Sequence, residues 1–171
     1  MNKNFFHLAR PVLAILIAAS LLACAAPYQQ PMTHVPQVDR VISRQSSQIP
    51  VSLLLSKEQV KVGDTFEISI ATQGTGYLYL FGVSNNGQSV SFLFPNDQDY
   101  DNRIGTGGLK IPRPNWTLRS AGPAGITQVV GVVSTQVQDI RRLGYLASMG
   151  KIEINGPYGA SAVPLAEHWG P

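Results

Sequence analysis

Apolar and polar positions alternate with a period of two over several short stretches of this chain, the pattern of half-buried β-strands. Thr65-Phe66-Glu67-Ile68-Ser69-Ile70-Ala71 places Phe66, Ile68 and Ile70 on one face. Val51–Leu55 and Leu109–Ile111 are short apolar runs, Trp116-Thr117-Leu118 follows Pro112 and Pro114, and Ile126–Val133 is a longer run. Gly76–Ser84 is aromatic or aliphatic on both parities, which predicts a central strand with both faces covered. Asn86-Gly87 separates it from Ser89–Phe94, and residues that tolerate positive φ between two such runs predict a hairpin. Pro95 closes the second strand because proline cannot donate to a ladder. Short strands spaced by Gly and Pro turns predict a mainly β, antiparallel sandwich.

Past Thr135 the period changes. Ile140, Leu143, Leu146 and Ala147 fall at helical spacing ahead of Gly150, so one C-terminal helix is expected near 138–149. Lys151–Ile154 reads as one more strand, and the tail from Gly156 onward carries no assignable pattern.

At the other end the apolar pattern is continuous. Met1–Arg10 carries Lys3 and Arg10 with no acid and runs into Val12–Ala19. The apolar stretch falls short of the roughly 20 residues a membrane-spanning helix needs, and a basic start before a short apolar run is the layout of a secretory signal peptide. The run ends in Leu21-Leu22-Ala23-Cys24, which resembles the lipobox of bacterial lipoproteins. That resemblance implies cleavage after Ala23 and lipid on Cys24, the only cysteine in the chain. Diacylglycerol with an N-acyl chain exceeds the two signals that stable anchoring takes. Ala25 stands where aspartate would resemble an inner-membrane retention signal, so the expected location is the outer membrane, facing the periplasm. The expected organisation is a signal peptide over 1–23, lipidated Cys24 and a Pro/Gln-rich tether over 24–49, a β domain over 50–135 and an extension over 136–171. Low apolar content and Pro27, Pro31, Pro36 and Pro50 argue for the tether, with Val35, Val38, Val41 and Ile42 able to form a short strand or helical turn that docks on the domain.

Processing also changes the charge. The formal net charge of +3 rests on thirteen basic and ten acidic residues. Lys3 and Arg10 leave with the signal peptide, so the mature chain is close to neutral. No basic stripe remains to steer a nucleic acid, and none is expected as a partner.

Gly76-Tyr77-Leu78-Tyr79-Leu80-Phe81, Leu93-Phe94-Pro95-Asn96, Asp101-Asn102-Arg103-Ile104 and Gly122-Pro123-Ala124-Gly125 together resemble a bacterial domain family known only as a domain of unknown function. It is found in secreted and lipid-anchored proteins and appended to caspase-like and other enzymes. The resemblance runs from about Val51 to Thr135, with Tyr77, Phe94, Pro95, Asn96, Asp101 and Asn102 as its motif residues. It implies an immunoglobulin-like sandwich and says little of activity. Read from the residues alone, the aromatic row Tyr77, Tyr79 and Phe81 is core packing, and Asn96 and Asn102 bond loop backbone in Asx turns.

Asp97-Gln98-Asp99-Tyr100-Asp101 is the sharpest motif for chemistry, since three carboxylates at alternate positions can converge on a hard cation. The run is similar to the opening of an EF-hand loop, yet Asn102 replaces its turn glycine and Gly108 stands where the bidentate glutamate belongs. The readings are a solvated acidic loop or a weak calcium site, with no other cofactor expected. His34 in the tether and His168 in the tail are the only histidines past the signal peptide, and no nucleophile, zinc spacing or glycosidase pair accompanies them. An enzyme is therefore not expected. The expected function is a lipid-anchored envelope module that binds a protein or glycan partner, as an accessory of a secretion or surface-assembly system. The alternative is a periplasmic enzyme or calcium-dependent protein using the Asp97–Asp101 loop. Arg141 and Arg142, beside Leu143, Tyr145 and Leu146, make the helix a candidate docking surface, against the plainer reading of a helix packed on the sheet.

Overall fold

A computed structural model describes residues 34–84 and 87–170. The signal peptide, Cys24, the start of the tether and Asn86 of the hairpin turn lie outside the described residues.

Strand β4 (Gly76–Ser84) carries large apolar side chains on both faces, and that fixes the layers. It pairs antiparallel with β5 (Ser89–Phe94) and with β8 (Gly125–Ser134), and β8 pairs antiparallel with β9 (Tyr158–His168). The short β2 (Gln59–Lys61) adds parallel to the far edge of β9, and β6 (Arg103–Ile104) pairs with the start of β4. The resulting six-stranded sheet has the order β2-β9-β8-β4-β5. A second sheet joins β1 (Val51–Leu55), β3 (Ile68–Thr72) and β7 (Leu109–Ile111), with β3 central and both pairings antiparallel.

Leu78, Leu80, Val129, Val133 and Leu165 face the small sheet, where Leu53, Ile68, Ile70 and Ile111 meet them and Phe66, Trp116 and Leu118 complete the core. Tyr79, Phe81, Val83, Val130 and Val132 face the opposite way. That second face is closed by α1 (Pro36–Ser43), through Val38 and Val41, and by α2 (Ile140–Ser148), through Leu143 and Ala147.

A bulge lets β5 serve both cores. Leu80 pairs with Phe94 and Phe81 with Phe92, so Leu93 is the extra residue. An extra residue inverts the alternation: Phe92 packs on the helix side, 5.2 Å from the Phe81 ring, while Phe94 enters the core between the sheets. Close approach between layers also requires glycine at two register positions. A Cβ on Gly159 would overlap the Ile49 carbonyl oxygen, and one on Gly131 would press into the Leu53 side chain.

The architecture corrects the expected one in two respects. The large sheet is mixed rather than purely antiparallel, because β2 runs parallel to β9, and two helices are described rather than one. The unpatterned tail supplies β9, which lies between β8 and β2. The expected strand at Trp116–Leu118 makes only an isolated bridge between Thr65 and Arg119. Lys151–Ile154 forms no strand either; the buried Gln138 side chain holds the end of this segment, donating to Asn155 O (2.9 Å) and accepting from Asn155 N–H (2.9 Å).

Within the expected tether, Pro36 opens α1 with the fixed φ that suits a first helical turn. The helix is tied to the sheet through Tyr158, whose hydroxyl donates to Val41 O (3.0 Å), and through Gln37 Nε2, which donates to Gly87 O (2.7 Å). In α2, the Asp139 carboxylate accepts the Arg141 and Arg142 N–H groups as an N-cap. Gly150, at φ +72°, takes the left-handed conformation just past the last turn.

Two expected outcomes test this packing. Gly159→Ala forces the Ile49 carbonyl and β9 apart, and urea denaturation should read a loss of about 1–3 kcal/mol, the usual range for overpacking. Burial raises the pKa of the Tyr158 phenol above its ordinary value, and Arg44 partly opposes the shift. The unfolded chain then ionises first, so Tyr158 contributes full stability below about pH 10 and loses it as the pH climbs from there through the folded value. A pH-melting series on Tyr158→Phe should lack that alkaline component and show faster hydrogen exchange across α1.

Candidate functional site

The motif residues gather at one end of β4 and β5. Asn102 clamps β4: its side-chain Nδ2 donates to Leu78 O (3.0 Å), and Leu78 N–H donates to Asn102 O (2.7 Å). Asn96 ends β5 in an Asx turn, accepting Gln98 N–H at 3.0 Å and donating Nδ2 to Leu93 O at 3.2 Å. Its backbone exchanges two 3.1 Å hydrogen bonds with Asp99. Tyr77 pairs with Arg103 and Ser134 across the sheet, its side chain half-buried against the helix-side core. Phe94 is fully buried and stacks parallel to Trp116, with centroids 6.4 Å apart and the Arg113 guanidinium 5.9 Å from its own centroid.

The three aspartates of the loop have separate fates. Asp99 is 7 % exposed. Its Oδ1 pairs with Arg113 Nη1 at 2.5 Å, and its Oδ2 accepts the Trp116 indole N–H at 3.1 Å. Asp101 is exposed and accepts both the backbone and side-chain N–H of Arg103, bonds that hold its carboxyl below the usual aspartate range, with further charge attraction from Arg103 and Arg113. Asp97 is exposed. Among the described residues no group of three or more His, Cys, Asp or Glu is gathered to hold a metal ion. Arg113, which the sequence reading did not single out, ties the loop together, since its Nη2 also donates to Asp101 O (2.6 Å).

The arginines of α2 divide. Arg142 pairs with Glu153 at 2.9 Å and so fastens the helix to the following segment. Arg141 forms no ion pair among the described residues and lines up with Tyr145 and Met149 at four-residue spacing on the solvent side. Tyr145 is 65 % exposed, with Met149 and the preceding Val137 also open. His34 contacts Asp39 beside α1, and His168 ends β9 against Lys61.

Sequence reasoning also passed over Glu167. This residue is 8 % exposed, and its two oxygens accept hydroxyl hydrogen bonds from Ser120 and Thr127, each at 2.5 Å. Period two within β9 was its only signal, and Pro164 interrupts it.

These features define a mainly β protein of two packed sheets and two short helices, with a hydrogen-bonded plug between β5 and the segment before β8. Residues 59–137 match the family described as Domain of unknown function (DUF4384), so the chain carries such a domain over that segment. No curated protein and no solved structure matches the chain. The matched segment holds every motif residue and the Asp99 cluster, whereas α1, β1, α2 and β9 lie outside it.

The geometry makes Asp99 the keystone of the plug. Asp99→Ala strands the Arg113 charge and the Trp116 N–H, and breaking a largely buried pair of this kind costs about 3 kcal/mol. Chemical denaturation followed by tryptophan emission should register that loss, and Asp97→Ala should not.

Proposed function

We propose that this chain is a lipoprotein held in the outer membrane through lipid on Cys24, with a periplasm-facing, immunoglobulin-like sandwich that acts as a non-catalytic module binding a protein partner. The observation that carries the reading is the exposed stripe Val137, Arg141, Tyr145 and Met149. α2 already packs its Leu143 and Ala147 on the sheet, and this second stripe lies open to solvent among the described residues. Tyrosine, methionine and arginine are the residue types enriched in protein interfaces. The free Arg141 charge favours an acidic patch at the partner's rim. Two packed sheets around a common core support the sandwich description. The run from Met1 to Cys24 supports the anchor, and with it a role as an accessory of a secretion or surface-assembly machine.

Crosslinking in intact envelopes with C-terminally tagged protein tests this reading. Recovery of a stoichiometric partner that drops at least tenfold with Tyr145→Ala or Arg141→Glu is the expected outcome. In membrane fractionation Cys24→Ala should move the protein to the soluble fraction. Recovery that is equal in wild type and both α2 variants would overturn the surface assignment.

A further inference from the structure

On the side of the large sheet away from the helices, a cleft lies between the sheet and the segment Leu118–Gly122. Its floor is Gly82, Thr127 and Leu165, and the segment Leu118–Gly122 roofs it. Glu167 lies within it, carrying a carboxylate into a cavity of about 80 Å³. We propose that this cleft is a binding site for a primary alkylammonium group, of the size of the end of a lysine side chain.

Charge is the first argument. Glu167 is more than nine-tenths buried, and both bonds it accepts come from neutral hydroxyls. No cation stands within ion-pair distance of it among the described residues. Arg119, which also lines the cleft, directs its Nη1 to Gly63 O at 2.8 Å. An ionised carboxylate offers about four acceptor positions. Two are filled, and a buried charge of this kind is stabilised by a donor that is itself charged.

Shape is the second. Gly82 sits mid-strand in β4, where glycine weakens a sheet unless something needs the room. Nothing in the backbone or packing requires it: a Cβ there would meet Thr127 Cγ2 at 3.5 Å and Leu93 Cδ1 at 3.7 Å, ordinary contact distances. Its absence keeps the floor of the cleft open. The cavity is about half of the 150 Å³ that accepts benzene in an engineered protein core, which suits an ammonium with two or three methylenes. Leu93 and Leu118 offer apolar wall for the methylenes, and Ser84 and Ser91 offer hydroxyl oxygens beside them.

The test is an NMR titration of the soluble Cys24→Ala protein with n-butylammonium chloride at constant ionic strength, with 1-butanol and butyrate as neutral and anionic probes. Saturable shifts at Thr127, Ser120 and Glu167 with butylammonium alone are expected, weakened at least tenfold in Glu167→Gln. Gly82→Ala fills the floor at ordinary contact distances, so it should keep the melting temperature and lose the saturation; it carries the test if Glu167→Gln does not fold. Butanol acting as strongly as butylammonium, or a linear response in wild type, or an undiminished response in Gly82→Ala would overturn the site. A lysine-containing peptide that shifts the same residues would assign the ammonium to a partner's side chain, and a response to the free amine alone would assign it to a small molecule.

Discussion

Burial of both faces of β4 and β8 is the constraint from which the rest of this structure follows. Tyr79, Leu80, Phe81, Val130 and Val133 are wholly removed from solvent, yet they point to opposite sides of one sheet. Burial of one such side chain is worth about 1.5–3 kcal/mol, so leaving either face uncovered would forfeit most of what the sheet gains by forming. One face takes the small sheet β1-β3-β7 as its cover; the other takes α1 and α2. The two packed sheets alone would leave that second face bare, and the helices supply a third layer over it. The helices lie on either side of the family-matched segment in the chain and close a face that the segment's own strands leave open.

Those strands were legible in the sequence wherever side-chain alternation or double-sided apolarity was strong. β1, β4, β5 and β7 coincide with the runs that marked them, β8 extends its run by one residue at each end, β3 takes the second half of Thr65–Ala71, and α2 falls at its helical spacing. β9 was illegible for physical reasons. Gly159, Ala160, Ser161 and Ala162 have little β-propensity, and they are small because Ile49 and α1 press on the strand from both sides. Pro164 argues against a central strand, but β2 reaches only to Ala166, so β9 has a free outer edge at the proline. α1 takes the helical form of the docking turn that Val35, Val38, Val41 and Ile42 marked within the tether, and the Tyr158 hydrogen bond ties it to β9.

The motif residues show how a sequence signature and a functional site come apart. Asp97, Asp99 and Asp101 invited a cation reading because alternate carboxylates in a loop converge when the loop wraps an ion. Here Asp99 has Arg113 and the Trp116 indole as partners instead. Neither partner is close in sequence, since they lie 14 and 17 residues away, so spacing alone carried no trace of the contact. Asn96 and Asn102 bond backbone as Asx chemistry predicts, though Asn102 does so across 24 residues to a strand rather than within its own turn.

Among the buried polar side chains, Gln138, Asp99 and Glu167 differ in what is left over. Gln138 donates to Ser134, Gln136 and Asn155 and accepts from Asn155, which leaves its amide with nothing to offer a ligand. Asp99 has a cation and an indole, and its charge is compensated within the fold. Glu167 has only hydroxyl donors and sits at an opening rather than in a sealed core. A carboxylate in that position costs desolvation that two neutral bonds offset in part, and glutamine would fill the same space at lower cost. A carboxylate rather than an amide therefore stands at the opening beneath Leu118–Gly122. The large sheet lies between that opening and the helices on its other face, so the proposed cleft ligand and a partner held through α2, as proposed, would not compete.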